Sequence, residues 1–163
     1  ISSAAIVNPG FVREAATVVG SQSVVVVLDV KRNLREGNYE VRIHNGQKAT
    51  SHAVSELVRV FENAGAGEIV INSIDRDGTM RGYDLELVKI VRELVSIPIT
   101  VLGGAGSLRD IAELIGHFGI IGAAAGSLFV FKGTYRAVLI NYPSRTEKDA
   151  LVSCTHLMSL HAR

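Results

Sequence analysis

A run of four valines followed by a leucine constrains the fold of this chain more than any other feature. Residues 23–30 read Ser-Val-Val-Val-Val-Leu-Asp-Val. β-Branched residues favour a strand, and an unbroken apolar run is typical of a strand buried on both faces of a sheet. Such strands occur in parallel sheets whose faces are covered by helices. The run therefore favours a parallel α/β architecture over an antiparallel one.

Similar apolar runs recur along the chain and alternate with amphipathic stretches. The sequence predicts further strands at residues 68–73, 97–102 and 120–125, and residues 1–7 look like the end of an earlier strand. Apolar residues at helical spacing predict helices at residues 9–19, 51–64, 84–95 and 107–118. The repeated order of strand and helix indicates a parallel α/β fold.

Two segments break this alternation. Residues 31–48 contain the turn-forming pairs Gly37-Asn38 and Asn45-Gly46, and we interpret them as a hairpin inserted after the valine-rich strand. Residues 144–163 are predicted to be a helical tail. The chain is thus expected to contain an α/β domain at residues 1–143 and a tail at residues 144–163.

Composition narrows the classes of partner. The formal net charge is +1, and no segment carries the basic stripe of a nucleic-acid binder. The longest apolar stretch, residues 119–131, is shorter than the roughly 20 residues that a membrane span needs. The single cysteine, Cys154, cannot form an internal disulfide, which fits a reducing compartment. We expect a cytoplasmic protein without nucleic-acid or membrane partners.

The predicted strand ends carry the candidate chemistry, because parallel α/β sheets bind ligands at the carboxyl ends of their strands. Asp29 ends the valine-rich run. Loss of solvation there favours the protonated acid and suits a proton-transfer role near neutral pH. The alternative is a structural aspartate that is satisfied by backbone N–H groups or by Lys31. The residues alone leave both interpretations open.

Two further kinds of loop follow the other predicted strands. Asn72 precedes Asp75-Arg76-Asp77-Gly78-Thr79, a string that offers two carboxylates and a hydroxyl but lacks the full calcium-loop pattern. Ordinary turn chemistry would explain this string equally well. Gly103-Gly104-Ala105-Gly106 enters a predicted helix, and Gly126-Ser127 follows the next strand. Together these glycine loops indicate a phosphate grip, although turns also need glycine, and neither a P-loop nor a G-x-G-x-x-G pattern is present.

Other chemistries lack a sequence signal. The five histidines have no ligand spacing, and no G-x-S-x-G string marks a nucleophilic serine. The sequence therefore predicts neither a metal nor a cofactor.

Taken together, these strings resemble the cyclase subunit of imidazole glycerol phosphate synthase. The resemblance covers about residues 1–131 and rests on Asp29-Val30-Lys31-Arg32, the string Ser73-Ile74-Asp75-Arg76-Asp77-Gly78-Thr79, Gly82-Tyr83-Asp84 and the two glycine loops. A related sugar-phosphate isomerase of histidine synthesis shares the Asp-Gly-Thr loop and a glycine loop. The inserted hairpin and the full Ser-Ile-Asp-Arg-Asp-Gly-Thr string favour the cyclase. The resemblance implies a half barrel, strands four to eight of a TIM-type (βα)8 barrel.

The resemblance also implies an activity and a set of roles. Members of this family, which are lyases of histidine biosynthesis, close an imidazole ring on a substrate with two phosphates, using ammonia from a glutaminase partner. Asp29 would be one of two acid/base aspartates, with Gln22 near it. The other implied site residues are Asn72, Asp77, Gly78 and Thr79 along the substrate, Gly103, Gly104, Gly126 and Ser127 at one phosphate, and Ser2 and Ser3 at the other.

Several departures from the family pattern define the alternatives. The second catalytic aspartate belongs to a first strand that this sequence does not contain. Ser2 and Leu102 stand where the family typically has Asn and often has a small polar residue, respectively. Residues 132–143 resemble cyclase paralogues linked to amidation of surface-polysaccharide sugars, and residues after Pro143 match no known pattern. We therefore keep three hypotheses: a cyclase that needs the other half barrel or self-association, an ammonia-delivering paralogue, and a non-catalytic phosphate-binding or assembly module.

Overall fold

The alternation of strands and helices is present in the computed structural model, which describes residues 1–133 and 135–160. The chain begins with helices α1 (Ser3–Val7) and α2 (Gly10–Val19) and a 3-10 helix (Ser21–Ser23). The remaining elements follow in this order: β1 (Val25–Asn33), β2 (Asn38–Ile43), β3 (Lys48–Ala53), α3 (Val54–Ala64), β4 (Glu68–Ser73), α4 (Leu85–Arg92), β5 (Ile99–Leu102), α5 (Leu108–Phe118), β6 (Gly122–Ala123), α6 (Ser127–Val130), β7 (Phe131–Lys132), β8 (Ala137–Val138) and α7 (Arg145–Leu160).

One six-stranded sheet, in the order β3-β2-β1-β4-β5-β6, organises the fold. Strands β1, β4, β5 and β6 are parallel, and β2 and β3 extend the sheet with antiparallel pairing. Asp29 of β1 lies opposite Asn72 of β4, which in turn lies opposite Leu102 of β5. The carboxyl ends of the parallel strands therefore share one edge. This arrangement confirms the predicted α/β class and is consistent with a partial (βα)8 barrel.

The two faces of the sheet differ in burial. Val26, Leu28 and Val30 of β1 are fully buried under the helices, together with Phe61 of α3 and Val88 of α4. The alternating residues of β1, including Asp29, are only half-buried. The sequence predicts that β1 is buried on both faces. In the structure, only its helix-covered face is buried. The polar side chains of the strand ends lie on the more open face.

The inserted segment forms a three-stranded antiparallel unit from the end of β1 to β3. Its turns lie at the two predicted positions, where Gly37 and Gly46 adopt positive φ angles of 68° and 77°. Strand β3 continues to Ala53, so helix α3 begins at Val54 and the predicted helical start at residue 51 is wrong. The Thr50 hydroxyl donates to the Val41 carbonyl at 2.7 Å and keeps this stretch in the sheet.

The prediction of a strand at residues 1–7 is wrong beyond the first residues. Ile1 does pair with β1, since its amino group donates to the Val25 carbonyl at 2.7 Å and its carbonyl accepts from the Val27 N–H at 2.8 Å. From Ser3 the chain turns into α1, which ends at Val7 before Asn8-Pro9. Alanines in this stretch favour the helix. The last parallel strand is also shorter than the predicted 120–125, because only Gly122 and Ala123 join the ladder.

Capping side chains define the helices that follow the parallel strands. Asp84 accepts from the Leu87 N–H at the start of α4, and Ser107 and Asp110 form a capping box at the start of α5. Helix α4 ends at Arg92, before the predicted residue 95, and the Arg92 guanidinium donates to the carbonyls of the loop that follows.

Helix α7 lies in the segment where the sequence predicts a helical tail, and it contacts α5. The last part of that prediction, residues 161–163, lies outside the described residues. In the described part of the chain, no helix has both the length and the apolar character of a membrane span.

A buried hydrogen bond joins the inserted unit to α4 and gives a test of the fold. The Tyr39 hydroxyl donates to Asp84 Oδ1 at 2.9 Å, and Asp84 is 8% exposed. Burial, followed by this bond to Asp84, raises the pKa of Tyr39, so the phenol remains a neutral donor. We expect Tyr39→Phe to lower the free energy of unfolding by about 1.5–3 kcal/mol in urea titrations, because a charged acceptor loses its donor. The exposed Tyr142 provides the control, and equal effects of Tyr39→Phe and Tyr142→Phe would contradict this role.

Candidate functional site at the carboxyl ends of the strands

Asp29 and Asn72 form the centre of the candidate site. Their strands pair in parallel with these two residues in register, and their side chains lie on the open face. The Asn72 Nδ2 group donates to Asp29 Oδ1 at 2.9 Å, which fixes the orientation of the carboxylate. No bond to Asp29 Oδ2 is present among the described residues. The structural alternative for Asp29 requires a bond to Lys31 or to backbone N–H groups. Neither bond is present in the described part of the chain.

The amide oxygen of Asn72 is the second notable feature of this pair, because it lacks a hydrogen-bond partner in the part of the chain that the structure describes. Its Oδ1 atom is buried and has no hydrogen-bond partner among the described residues. Buried acceptors of this kind are rare because losing water without a new donor costs about 1–3 kcal/mol. The atom faces Gly103, where a Cβ would lie 3.0 Å away. Asn72 thus presents an unused acceptor between Asp29 and the first glycine loop.

Three loops from consecutive parallel strands line a small cleft beside this pair. They are the Asp-Gly-Thr turn after β4 and the glycine loops after β5 and β6, which contribute Asp77, Gly78, Gly103, Gly104, Ala105, Ala125, Gly126 and Ser127. The predicted grouping of these segments at one end of the sheet is therefore present. Thr79 belongs to the same turn but does not line the cleft.

The loop that contains the Asp-Gly-Thr turn is held both by a bond to β1 and by a bond within the loop. The Asp75 carboxylate accepts from the Arg32 N–H at 2.7 Å, so this aspartate ties the loop to β1. The Thr79 hydroxyl donates to the Arg76 carbonyl at 2.7 Å. Asp77 is exposed and forms no ion pair with the described residues. Turn chemistry thus accounts for Asp75 and Thr79, whereas Asp77 is left facing the cleft.

The start of α5 contributes less to an anion site than the sequence indicated. Asp110 Oδ2 accepts from the N–H groups of Gly106 and Ser107, both at 2.8 Å. These donors are therefore not available to a ligand. The N–H groups of Gly104, Gly126 and Ser127 have no partner in the part of the chain that the structure describes, so they are the donors left for an anion.

The glycines of the two loops are required for different reasons. Gly104 has a φ of 110°, and a Cβ there would collide with the Gly82 carbonyl, so close packing of two loops already demands glycine. Gly126 has a φ of −97° and open space where its Cβ would be. Neither conformation nor packing against the described residues explains Gly126. Room for a ligand at the backbone remains as a reason.

Gln22 and the N-terminal serines lie elsewhere. Gln22 belongs to the 3-10 helix that precedes β1, at the amino end of the sheet, and its side chain folds over Gly20. With about 3.3 Å per strand residue, it is more than roughly 13 Å from Asp29, so its predicted proximity is wrong. Ser2 and Ser3 follow Ile1 on the side of β1 away from β4. The Ser3 Oγ accepts from the His44 N–H at 3.0 Å, whereas Ser2 makes no side-chain cap bond to α1.

Two residues near the cleft were not predicted from the sequence. The Tyr83 hydroxyl donates to the Ala124 carbonyl at 2.9 Å and joins the loop after β4 to the loop after β6. Burial, with a smaller effect of the Asp110 charge, raises the pKa of Tyr83 to about 12 and keeps this donor neutral. Arg136 Nη2 donates to the Gly78 carbonyl at 3.3 Å. The Gly82-Tyr83-Asp84 string was a usable signal for Tyr83, but no local pattern marks Arg136.

The fold and site define a class of protein: a parallel βα sheet of the TIM-barrel type with a carboxylate and glycine-rich loops at its carboxyl end. No group of three or more potential metal ligands occurs among the described residues. Residues 1–136 match the family described as "Histidine biosynthesis protein". The chain belongs to this family.

Individual relatives place the chain among proteins named for one enzyme. It is 56% identical over 151 residues, 93% of its length, to the "Putative imidazole glycerol phosphate synthase subunit HisF" of Leptospira borgpetersenii, and 54% identical to the protein of the same name in Leptospira interrogans. It is 42% identical over 79% of its length to the "Imidazole glycerol phosphate synthase subunit HisF" of Alkaliphilus metalliredigens, of which the match covers 51%. The match spans 59% of each Leptospira protein, and its 151 residues extend beyond Pro143.

The contrast between Gly104 and Gly126 gives a test of the glycine analysis. We expect Gly104→Ala to lower the free energy of unfolding by about 2 kcal/mol or more, because alanine meets both a positive φ and the Gly82 carbonyl. Gly126→Ala should change it by less than about 0.5 kcal/mol, because the added methyl group enters open space. Urea unfolding followed by circular dichroism measures both values. A large loss for Gly126→Ala would show that Gly126 has a structural role.

Proposed function

We propose that this chain carries part of the cyclase subunit of imidazole glycerol phosphate synthase, acting in histidine biosynthesis in the cytoplasm. The reaction would close an imidazole ring on a ribosyl-aminoimidazole-carboxamide substrate with two phosphates, using ammonia from a glutaminase subunit. The observation that carries this proposal is the Asp29–Asn72 pair next to a cleft formed by the Asp-Gly-Thr turn and two glycine loops. The names of the relatives support it.

Asp29 is the proposed acid/base group. Its Oδ1 atom accepts from Asn72, which leaves Oδ2 to accept a proton from the substrate or to return one during ring closure. Fixing one oxygen also limits rotation of the carboxyl group, so the free oxygen keeps one direction. By resemblance, the second acid/base aspartate would belong to a first strand that this sequence does not contain.

Asn72 is the proposed partner for a nitrogen donor. Its buried Oδ1 atom has no partner among the described residues and lies beside the carboxylate. Ammonia and the carboxamide of the substrate are both N–H donors, and either would remove the cost of the unsatisfied acceptor once the loop after β5 moves away from this buried atom. The same side chain would then orient Asp29 with its Nδ2 group and the reacting nitrogen with its Oδ1 atom.

The two phosphates of the substrate are assigned to opposite sides of Asp29. The cleft lined by Gly103, Gly104, Gly126 and Ser127 would hold one phosphate through backbone N–H groups, with Asp77, Gly78 and Thr79 along the substrate. Ser2 and Ser3 would hold the other, on the far side of β1. The Ser3 Oγ already accepts one bond from the hairpin, but its O–H remains a donor.

Two kinds of partner follow from this proposal. A glutaminase subunit would supply ammonia, and the word "subunit" in the names of the relatives supports an assembly. The remaining barrel strands, or a second copy of this chain, would complete the open face of the sheet, where Val25, Val27 and Asp29 are half-buried.

Replacement of Asp29 tests the catalytic role. The assay combines this chain with the part of the Leptospira borgpetersenii protein that lies outside the match and measures ammonia-dependent ring closure. We expect Asp29→Asn to lower kcat by about 100-fold or more, because an amide cannot transfer the proton. Asp149→Asn, on the exposed surface of α7, serves as the matched control. Unchanged turnover with Asp29→Asn would remove Asp29 from the mechanism.

A second candidate function is delivery of ammonia for the amidation of a sugar in surface-polysaccharide synthesis. The observation that favours it is the antiparallel pairing of β7 with β8, in a segment whose sequence resembles cyclase paralogues of that kind. Assay of the histidine-pathway substrate distinguishes the two candidates. Glutaminase-dependent release of ammonia without turnover of that substrate would favour the paralogue.

A third candidate is a non-catalytic phosphate-binding or assembly module. The half-buried open face of the sheet favours it, because apolar side chains such as Val27 and Val70 lie there. Light scattering and a phosphate titration test this idea. A stable monomer without affinity for phosphate would reject it.

A further inference from the structure

We propose that Arg136 is the cationic group of the phosphate cleft and determines the affinity for a phosphomonoester dianion. This inference rests on the proposed phosphate grip and assigns it a residue to which neither the motif strings nor the family resemblance gives a role. The observation behind it is the bond from Arg136 Nη2 to the Gly78 carbonyl, 3.3 Å long. Gly78 lines the cleft, so the guanidinium is bonded to a residue of the cleft wall.

The β7–β8 hairpin holds Arg136 at this position. The Arg136 N–H donates to the Gly133 carbonyl at 3.1 Å, and the residue adopts a positive φ of 49°, which is uncommon for a side chain of this size. The chain after β8 is bonded back to α6, through the Leu139 N–H to the Val130 carbonyl at 2.9 Å. Helix α6 begins at Ser127, a residue of the cleft. The same short segment therefore positions both the donors of the last loop and the guanidinium.

The charge balance of the cleft shows why a cation is needed. Among the described residues that line the cleft, Asp77 is the only one with an ionisable side chain, a carboxylate. Backbone N–H groups alone would have to offset its repulsion of a dianion. A guanidinium within reach of the same loop reverses this balance.

Of the neighbouring arginines, Arg32 is engaged by a carboxylate, whereas Arg76, like Arg136, donates one long bond to a backbone carbonyl. Arg32 pairs with Glu86 at 3.0 Å, and Arg76 donates to the Arg81 carbonyl at 3.3 Å. Arg136 has no carboxylate partner within residues 1–133 and 135–160. A guanidinium has five N–H donors in a planar fork, so one long bond to Gly78 leaves a bidentate pair for phosphate oxygens.

The test titrates inorganic phosphate into the 163-residue chain and follows amide chemical shifts by two-dimensional NMR. We expect the amides of Gly104, Gly126 and Ser127 to move in the unmodified protein. Arg136→Gln should weaken the apparent affinity about tenfold or more, since it removes a charge-assisted bidentate contact. It should also reduce the salt dependence of binding, since one cation is lost. Arg13→Gln, on the remote exposed surface of α2, removes an equal charge and should leave the affinity unchanged.

The outcomes separate this inference from the proposed function. Unmoved cleft amides in the unmodified protein would reject the phosphate grip and the role of Arg136 together. Binding in the cleft with equal affinity for the unmodified protein and Arg136→Gln would retain the grip and overturn the inference. Equal losses for Arg136→Gln and Arg13→Gln would also overturn it, because the effect would then reflect net charge alone.

Discussion

The parallel ladder between β1 and β4 is the constraint on which the rest of the site depends. It brings two strands to the same edge of the sheet with Asp29 directly opposite Asn72. If β1 slipped by one residue against β4, the Asp29 side chain would turn into the helix-covered core while Asn72 stayed on the open face. There Val30 and Ser73 are buried, and a carboxylate would lack solvent and partners. The buried valines and isoleucines on the helix-covered face therefore determine the register, and the register places Asp29 beside Asn72 on the open face.

The loops beyond that edge show how packing and function share the same residues. Gly103 and Gly104 are needed because the loop after β5 runs against the backbone of the loop after β4. Tyr83 ties this pair to the loop after β6 through the Ala124 carbonyl. The three loops are thus held to one another before any ligand is present. A site assembled in this way loses little conformational entropy on binding, since its backbone donors are already placed.

Much of this arrangement could be predicted from local sequence. The valine run and the glycine-containing pairs of the hairpin turns each determine structure within a few residues, and the alternation of apolar runs with amphipathic stretches predicts the α/β order. The errors in the predicted elements also arise within a few residues, where local preferences are ambiguous. Residues 4–7 carry apolar side chains that suit a strand or a helix, and residues 51–53 have weak preferences that pairing with β2 overrides.

Contacts between distant segments could not be predicted in this way. One missed contact is local by contrast: Asp110 accepts from the N–H groups of Gly106 and Ser107, as the capping pattern of Ser107 and Asp110 could have indicated. These two bonds reduce the number of donors that the start of α5 can offer to an anion. The contact of Arg136 with Gly78 joins residues 58 positions apart. The orphaned Oδ1 atom of Asn72 depends on the position of Gly103. Neither has a local signature, and the roles of Asp29, Ser2 and Ser3 stay predictions.

The distribution of charge across the open end of the sheet favours a ligand that is anionic at its ends and neutral in its middle. Asp29 lies near the centre and would repel a phosphate there. The free backbone donors of Gly104 and Ser127 lie to one side, and the hydroxyls of Ser2 and Ser3 lie to the other. The bis-phosphate of the proposed function would satisfy this pattern, because its anionic groups would avoid the carboxylate while its nitrogen atoms would approach Asp29 and Asn72. A small anion has no such separation of charge, so it would occupy the cleft without approaching Asp29.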